Sequence, residues 1–441
     1  MTSTHASYER YAKITIVIFL IVKLAWFSPH MLVLWDEAVY IGMGKYLYSG
    51  QDVGLWEPFR PILIPVLVGI PWLLGIPIIG AKAVSLGFAL ATLIATYLLA
   101  CRLYDARVGF YATAILAFSF VFLFESTQVM TDLPAGLFGL LALFALIAKR
   151  PLLAGILVGL AFLVKFPAGL YLPALLIIAY LKTRSLGPLI SLGGGFALAA
   201  MPVLIISAIM TGSPVQILLD ALAHQDNLYF ATHGLFANLL YYPIALLASH
   251  PLLLLAFFAI EKRSYPLLIP AALILAYLTA IVNKQERFVL LALPLIAILA
   301  GTTIARIATT PPLKKAAIGT LIVIGATTTF FTLSFVEHAE TPHQEFFRSI
   351  DLPEHVGISD PVIAAYRDAQ FIPLYFSYDT AIEILRETKP EAVIFSREAY
   401  GCVVFGEECW AYIDEIEEFL EEHYTPIASV THEGIGYTLY S

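Results

Sequence analysis

Two adjacent carboxylates, Asp36 and Glu37, stand directly after a long apolar run in the sequence WDEAVY. Charge beside hydrocarbon needs water or a partner, so an ionisable residue in this position is a candidate for function. A carboxylate can take a proton from a hydroxyl group and act as a general base. Partial burial raises a carboxylate pKa and a nearby cation lowers it, so a mixed site can poise Asp36 for that role.

Other charged residues also stand directly beside apolar stretches, and they carry both signs. The acids are Glu57, Glu125, Asp132, Asp220 and Asp226, and the cations are Arg60, Lys165, Lys284 and Arg287. Mutual neutralisation in ordinary solvated loops accounts for any single member of this set. The whole set favours a binding site, because cations at a membrane interface can hold a phosphate while apolar grooves hold a lipid tail. Carboxylates there can also accept hydrogen bonds from sugar hydroxyls.

The composition indicates that these residues belong to a membrane protein. Of the 441 residues, 59% are hydrophobic and only 13% are charged, and the mean hydropathy is +0.83. A soluble domain is about a quarter charged. The net charge of −8 argues against nucleic-acid binding, which usually relies on a basic patch. Three cysteines are too few for a disulfide scaffold and show no zinc-ligand spacing.

The charge divides the chain into two predicted domains. Residues 337–441 contain 21 acidic and five basic residues, a net charge of −16, whereas residues 1–336 contain 20 basic and 12 acidic residues, a net charge of +8. We therefore predict a polytopic transmembrane domain over 1–336 and an acidic, soluble α/β domain over 337–441.

About eleven apolar runs are candidates for membrane spans, since a helix needs about 20 residues to cross the hydrocarbon. They lie near 13–34, 81–103, 107–124, 133–148, 151–164, 167–182, 186–210, 237–259, 265–282, 288–305 and 315–336. The stretch 59–78 is apolar but rich in proline, so we expect it to be interfacial or re-entrant.

Loop charges predict the orientation. With the N-terminus inside, six loops carry 13 basic and three acidic residues, and the opposite loops carry six basic and nine acidic residues. This bias matches the positive-inside rule. We expect a multi-pass protein of the cell membrane with a cytoplasmic N-terminus and an extracytoplasmic tail. Topology then gives no reason for the outer cations.

Alternating apolar segments in the tail predict strands and helices of a small α/β domain. The predicted strands are Val362–Tyr366, Ala392–Ser396 and Ile427–Thr431. The segment YIDEIEEFLEEHY places Ile413, Ile416 and Leu420 on one helical face. Outside the membrane a disulfide between Cys402 and Cys409 is permitted, and their separation allows it without requiring it.

The order of the outer motifs resembles the GT-C glycosyltransferases, in the branch of protein O-mannosyltransferases and aminoarabinose transferases. The motifs are Asp36-Glu37 with Tyr40 and the helical GMGKYLYSG, then WEPFRP, TDLP, KFP and KQERF. The resemblance covers roughly residues 10–335. The sequence departs from the family in its proline pair, which is here only Arg60-Pro61, and in Glu57, which stands further upstream.

The resemblance implies the donor and the roles of the site residues. The donor is a polyprenyl- or dolichyl-phosphate sugar, and Asp36 is the proposed base, supported by Glu37. Arg60 and Arg287 contact the lipid phosphate, and Asp132 corresponds to the acid of the second outer loop. We expect Tyr40, Glu57, Lys165 and Lys284 to complete the substrate-binding set.

These residues predict an inverting displacement in which an acceptor hydroxyl of a protein, glycan or lipid replaces the lipid phosphate. The chain contains no Asp-x-Asp motif and indicates no cofactor, and a divalent cation is not indicated either. The outer loop 211–236, with His224, Gln225, Asp226 and His233, is a candidate cover for the acceptor. Two alternatives stay open: a lipid or anion transporter, and a non-catalytic membrane scaffold.

Overall fold

The computed structural model describes residues 3–25, 27, 31–223, 234–335, 341–376, 378–400, 402 and 406–441. The chain divides into two compact units. Unit 1 comprises Met1–Phe27, Phe59–Leu63 and Ser85–Val336, and unit 2 comprises Ser28–Pro58, Ile64–Val84 and Glu337–Ser441. The later unit boundary falls where the charge changes sign, but unit 2 also takes in two segments from the first 84 residues.

Most of the chain as far as residue 335 is helical. In chain order the α-helices are α1 (Ser3–Ala25), α2 (Trp35–Ser49), α3 (Leu63–Leu73), α4 (Pro77–Leu103), α5 (Ala106–Ala117), α6 (Phe120–Glu125), α7 (Asp132–Ile147), α8 (Pro151–Val164), α9 (Tyr171–Thr183), α10 (Gly187–Thr211), α11 (Gln216–Ala223), α12 (Leu235–Ser249), α13 (Tyr265–Ala280), α14 (Leu293–Ile307) and α15 (Pro311–Phe335). Short 3-10 helices cover Phe166–Leu170, Pro251–Phe258 and Glu286–Leu291. In unit 1, α8 packs against α7 and α10, and α5 packs against α1 and α14.

The predicted spans coincide with helices, but several of them are interrupted. The run 107–124 divides into α5 and α6, and the runs 237–259 and 288–305 each combine an α-helix with a 3-10 helix. Among the described residues, four helical stretches are long and apolar enough to cross a membrane unaided. The number of eleven spans therefore stays a prediction.

Two predictions near the N-terminus have different outcomes. The first predicted span, 13–34, is misplaced: α1 begins ten residues earlier and ends at Ala25, because its polar first turns are helical and hydropathy does not register them. The stretch 59–78 contains α3, whose 11 residues include Pro71. At 1.5 Å per residue this helix is about 16 Å long, too short for a hydrocarbon core of about 30 Å.

The C-terminal part of unit 2 forms the expected α/β fold. Its helices are α16 (Pro342–Ser349), α17 (Ile363–Tyr366), α18 (Ala381–Thr388) and α19 (Glu407–His423), and its strands are β1 (His355–Ile358), β2 (Gln370–Pro373), β3 (Ala392–Phe395), β4 (Pro426–His432) and β5 (Ile435–Tyr440). The sheet order is β2-β1-β3-β5-β4, with β1 parallel to β2 and β3, and with β5 antiparallel to β3 and β4.

One predicted strand of the tail is wrong, and the other elements are present. Val362–Tyr366 forms helix α17 rather than a strand. The Asp360 side chain accepts a hydrogen bond from the backbone N–H of Val362, which starts a helical turn directly after Pro361. The strands predicted at 392 and 427 correspond to β3 and β4, and the predicted amphipathic helix corresponds to α19. Cys402 and Cys409 form a disulfide.

The core of unit 2 is built from both of its sequence regions. Val39 and Met43 of α2 and Leu55 pack in one buried cluster with Phe347, Val356 and other residues of the C-terminal region. Gly54 extends the sheet, because its N–H donates to the Ala369 carbonyl and its own carbonyl accepts from the Phe371 N–H, each at 2.8 Å. The segment that carries Asp36 is thus part of the α/β fold's own core.

Candidate active site

The predicted site residues fall into two sets, one in each compact unit. Unit 2 contains Asp36, Glu37, Tyr40 and Glu57, and unit 1 contains Arg60, Asp132, Lys165, Lys284 and Arg287. Every one of these residues lies in the described part of the chain. The residues differ in exposure: some side chains are buried in the protein, and others are partly exposed.

Asp36 lies in the first turn of α2 and is half-buried. The N–H groups of the first helical turn attract carboxylates, so a carboxylate is favoured at this position. The following residue secures the turn, because Glu37 Oε2 accepts a hydrogen bond of 2.8 Å from the Leu34 N–H. This contact is half of a capping box, in which the third helical residue bonds back to the N-cap backbone.

Glu37 is also the partner of Lys82, which lies near the start of α4. Lys82 Nζ donates to Glu37 Oε1 at 2.8 Å and to Oε2 at 3.1 Å, and neither side chain has any exposed surface. Removing one member of a buried ion pair leaves an uncompensated charge, which costs about 3–5 kcal/mol. This pair therefore fixes the first turn of α2 against the start of α4.

Glu57 is 1% exposed and accepts a 2.9 Å hydrogen bond at Oε1 from the Tyr375 hydroxyl. The Tyr375 ring packs edge-on against Trp35, with ring centroids 5.0 Å apart. Tyr40 is buried within α2 at 5% exposure. Glu57 thus lies inside the protein, bonded to a residue that the sequence had not indicated.

Unit 1 brings together three of the predicted residues. Asp132 is the first residue of α7, Lys165 ends α8, and Arg287 lies in the 3-10 helix Glu286–Leu291. Lys165 Nζ lies 2.8 Å from Asp132 Oδ1, and Arg287 Nε lies 4.0 Å from Oδ2. Asp132 is 1% exposed, while Lys165 and Arg287 keep 17% and 16% of their side-chain surface. These three side chains carry a formal charge of +1 together, and both cations are partly exposed, which suits an anion.

Close backbone approach and one tyrosine hold this cluster in place. A Cβ at Gly136 of α7 would lie 2.6 Å from the Leu290 carbonyl oxygen, so only glycine lets the 3-10 helix approach α7 this closely. The buried Tyr171 hydroxyl donates to the Leu291 carbonyl at 2.6 Å. Both contacts position the element that carries Arg287. Phe288 faces the cluster as well, with Lys165 Nζ 4.2 Å above its ring centroid.

Lys284 and Arg60 are the remaining predicted residues of unit 1. Lys284 Nζ donates to the carbonyls of Leu278 and Thr279, each at 2.8 Å, and to that of Ile281. It therefore caps the end of α13 rather than facing a ligand. Arg60 is half-buried in the segment 59–63 of unit 1.

The other acids that were predicted to lie on the outer side are Glu125, Asp220 and Asp226. Asp220 of α11 accepts from Gln216 Nε2 at 2.8 Å, and Glu125 is 7% exposed at the end of α6. His224, Gln225, Asp226 and His233 lie outside the described residues. Within the described ranges, no three His, Cys, Asp or Glu side chains are grouped to hold a metal ion.

Comparisons with known proteins address the fold. A family model described as dolichyl-phosphate-mannose-protein mannosyltransferase matches residues 61–206. ArnT from Cupriavidus metallidurans, solved with bound undecaprenyl phosphate, is similar with a TM-score of 0.70 and 12% identity, over 97% of both chains. The oligosaccharyltransferase of Archaeoglobus fulgidus in the apo form is similar with a TM-score of 0.55 and 13% identity, over 97% of this chain and 74% of that one. No curated protein matches significantly in sequence.

The chain has the GT-C fold. The agreement with ArnT runs over nearly the full length of both chains, which includes the C-terminal α/β region. The resemblance that the outer motifs indicated is confirmed, and the protein is a multi-pass membrane protein of this fold. At 12–13% identity the likeness establishes the fold alone, so the roles of the site residues depend on the geometry described above.

The sequence of this GT-C protein pointed to Asp132, Lys165 and Arg287 but missed two partners. Lys82 was a visible signal, since it is a cation beside an apolar stretch on the side that the loop charges predict to be outer. Tyr375 gave no signal, because a tyrosine after a short strand is ordinary in an α/β domain and its contact with Glu57 spans 318 residues.

Proposed function

We propose that the protein is an integral membrane glycosyltransferase that moves a sugar from a polyprenyl-phosphate donor to an acceptor hydroxyl on the outer face of the membrane. The observation that carries this proposal is the cluster of Asp132, Lys165 and Arg287, in which two partly exposed cations lie beside one buried acid. The GT-C fold supports it, since ArnT was solved with undecaprenyl phosphate and the archaeal oligosaccharyltransferase AglB with a dolichol-phosphate and an inhibitory peptide.

The reaction is an inverting displacement at the anomeric carbon. The acceptor oxygen forms a bond to this carbon, the bond to the phosphate oxygen breaks, and its electron pair leaves with the lipid phosphate. The phosphate charge grows from one towards two as the bond breaks, so Lys165 and Arg287 bind the transition state more strongly than the donor. Such differential stabilisation is the kind that raises kcat.

Asp36 takes the proton of the acceptor hydroxyl. It is half-buried at a helix start, while its neighbour Glu37 is closed within an ion pair. We therefore assign the base to Asp36 alone and give Glu37 a structural role. Lys284 and Glu57 act as structural anchors, and Arg60 and Tyr40 remain proposed substrate contacts. The orientation follows the loop charges, with the N-terminus cytoplasmic and the C-terminal domain, residues 337–441, extracytoplasmic.

A transfer assay tests the proposal. The purified full-length protein, in lipid nanodiscs, is incubated with radiolabelled polyprenyl-phosphate sugars and with protein, glycan and lipid acceptors. Asp36→Asn should lower kcat by about 10²–10⁴-fold, because positioned general bases contribute that much. Asp52→Asn is the matched control, since Asp52 is an exposed acid of the same segment. Equal transfer by wild type and Asp36→Asn would sink the assignment, and lipid translocation without sugar transfer would favour a transporter.

A further inference from the structure

Asp36 stands between two residues that are held by contacts on opposite sides. Glu37, the next residue, forms the fully buried pair with Lys82. Trp35, the residue before, packs edge-on against the Tyr375 ring. The Asp36 backbone is therefore restrained on both sides, and one of the two restraints comes from Tyr375, 339 positions away in the C-terminal region.

The position of Tyr375 is itself fixed by its surroundings. It follows β2 by two residues, and β2 is anchored on one side by its parallel pairing with β1. On its other side β2 is bridged by Gly54, which is three residues before Glu57. The Tyr375 hydroxyl then donates to Glu57 at 2.9 Å. The ring orientation is thus set at both ends, by the sheet and by a buried carboxylate.

A hydrogen bond to a buried carboxylate is stronger than one between neutral groups, and its direction fixes the phenol ring. An edge-to-face aromatic pair adds a preferred geometry between Tyr375 and Trp35. The chain of contacts therefore runs from Glu57 through Tyr375 to Trp35 and to the backbone of Asp36. Every member lies in unit 2.

We propose that Tyr375 is a positioning residue of the transferase, which holds Asp36 in its reactive place through Trp35. The C-terminal α/β region is then a part of the catalytic apparatus and not an accessory domain. This inference rests on the proposed function for its kinetic consequence. Its structural consequence, restraint of Trp35 by Tyr375, is independent of any activity.

Two variants distinguish the contribution of the Tyr375 ring from that of its hydroxyl group. Tyr375→Leu removes both contacts, and we expect kcat to fall by about 10²-fold, because a misplacement of about 1 Å costs that much. Tyr375→Phe keeps the ring and should give an intermediate loss. KM for the donor and binding of undecaprenyl phosphate should stay at wild-type values, since Tyr375 does not bind the phosphate. Tyr412→Phe is the matched control, because that hydroxyl donates to the Asp379 carbonyl in the same fold.

A fluorine NMR measurement gives a readout that needs no turnover. In protein labelled with 5-fluorotryptophan, the Trp35 resonance is assigned by its loss in Trp35→Phe. It should shift and broaden in Tyr375→Leu, shift less in Tyr375→Phe, and stay unchanged in Tyr412→Phe. An unchanged Trp35 resonance in Tyr375→Leu overturns the inference, and so does a rise in KM that accounts for the whole kinetic loss. Absence of transfer by wild type, with the resonance shifted as expected, overturns the proposed function but not the restraint.

Discussion

Glu37 and Asp132 each lie 2.8 Å from a lysine ammonium, yet the two sites differ in exposure and in charge balance. Glu37 and Lys82 are both without exposed surface, and their formal charges cancel. Asp132 is as buried as Glu37, but it shares its site with two cations that remain partly open. A buried ion pair whose charges cancel therefore offers no charge to a ligand. A partly exposed cluster of two cations and one acid can still attract an anion.

The largest effect should come from breaking the closed pair. Glu37→Gln or Lys82→Met alone leaves a buried charge without its partner, and we expect a loss of about 3–5 kcal/mol in the free energy of unfolding. The double variant Glu37→Gln/Lys82→Met removes both charges and should recover most of that loss. Denaturation of the purified protein in mixed micelles measures all three values.

The exposed pair Glu9–Lys13 provides the control for this measurement. Its side chains are 40% and 72% exposed, and its removal should cost less than about 1 kcal/mol. Equal losses for the buried and the exposed pair would contradict the distinction. So would a double variant that is no more stable than the single ones.

Substitutions in the cluster of Asp132, Lys165 and Arg287 should change the kinetics of transfer more than the free energy of unfolding. Arg287→Gln removes one of the two cations that we propose for the leaving phosphate and should lower kcat/KM by about 10²-fold, which corresponds to about 3 kcal/mol. Lys284→Gln is the matched control in the same NKQERF motif. Since Lys284 bonds to three backbone carbonyls, we expect it to lower stability and leave the KM for the donor unchanged.

Steady-state kinetics and thermal unfolding of both variants decide this point. If Lys284→Gln raised the KM for the donor while Arg287→Gln did not, the assignment of the two cations would have to be exchanged. If Arg287→Gln destabilised the protein as strongly as Glu37→Gln, the cluster would be a structural feature like the closed pair.

Loop charge was enough to draw attention to Lys165 and Arg287, because the rule that places cations inside gives no reason for cations in loops predicted to be outside. It did not separate them from Lys284, which has the same charge and the same predicted side and shares its motif with Arg287. That distinction depends on whether a side chain turns back to its own backbone, which only the folded conformation determines. Likewise Glu37 and Lys82 are 45 residues apart, and no sequence period relates them.

The fold could be predicted where a local pattern dominates. The 3.6-residue period of α19 and the short apolar strands β3 and β4 are of this kind. Val362–Tyr366 was misassigned because a short apolar segment fits either state, and the decision lay with the Asp360 side chain and its bond to Val362. The membership of residues 28–58 in unit 2 depends on long-range packing around Leu55 and could not be predicted from composition.

Asp360 is another buried acid, and its recorded hydrogen bonds come from neutral groups. It accepts from the Tyr437 hydroxyl at 2.5 Å and from the Val362 N–H at 2.8 Å. Burial raises the pKa of Asp360 above its ordinary value, and these two hydrogen bonds oppose the rise only in part. The folded state therefore keeps the proton at pH values where the unfolded chain, with a pKa of about 3.9, has released it.

The sign of the pH dependence follows from that difference. The contribution of Asp360 to stability is full below the unfolded pKa and is lost as the pH rises through the folded pKa, by at most about 1.4 kcal/mol per pH unit. Asp360→Asn should remove this slope, while the exposed Asp351→Asn should keep it. Hydrogen exchange of peptides covering β1 and β5 in the full-length protein, corrected for intrinsic rates, measures it. A slope that persists in Asp360→Asn would assign the pH dependence to another group.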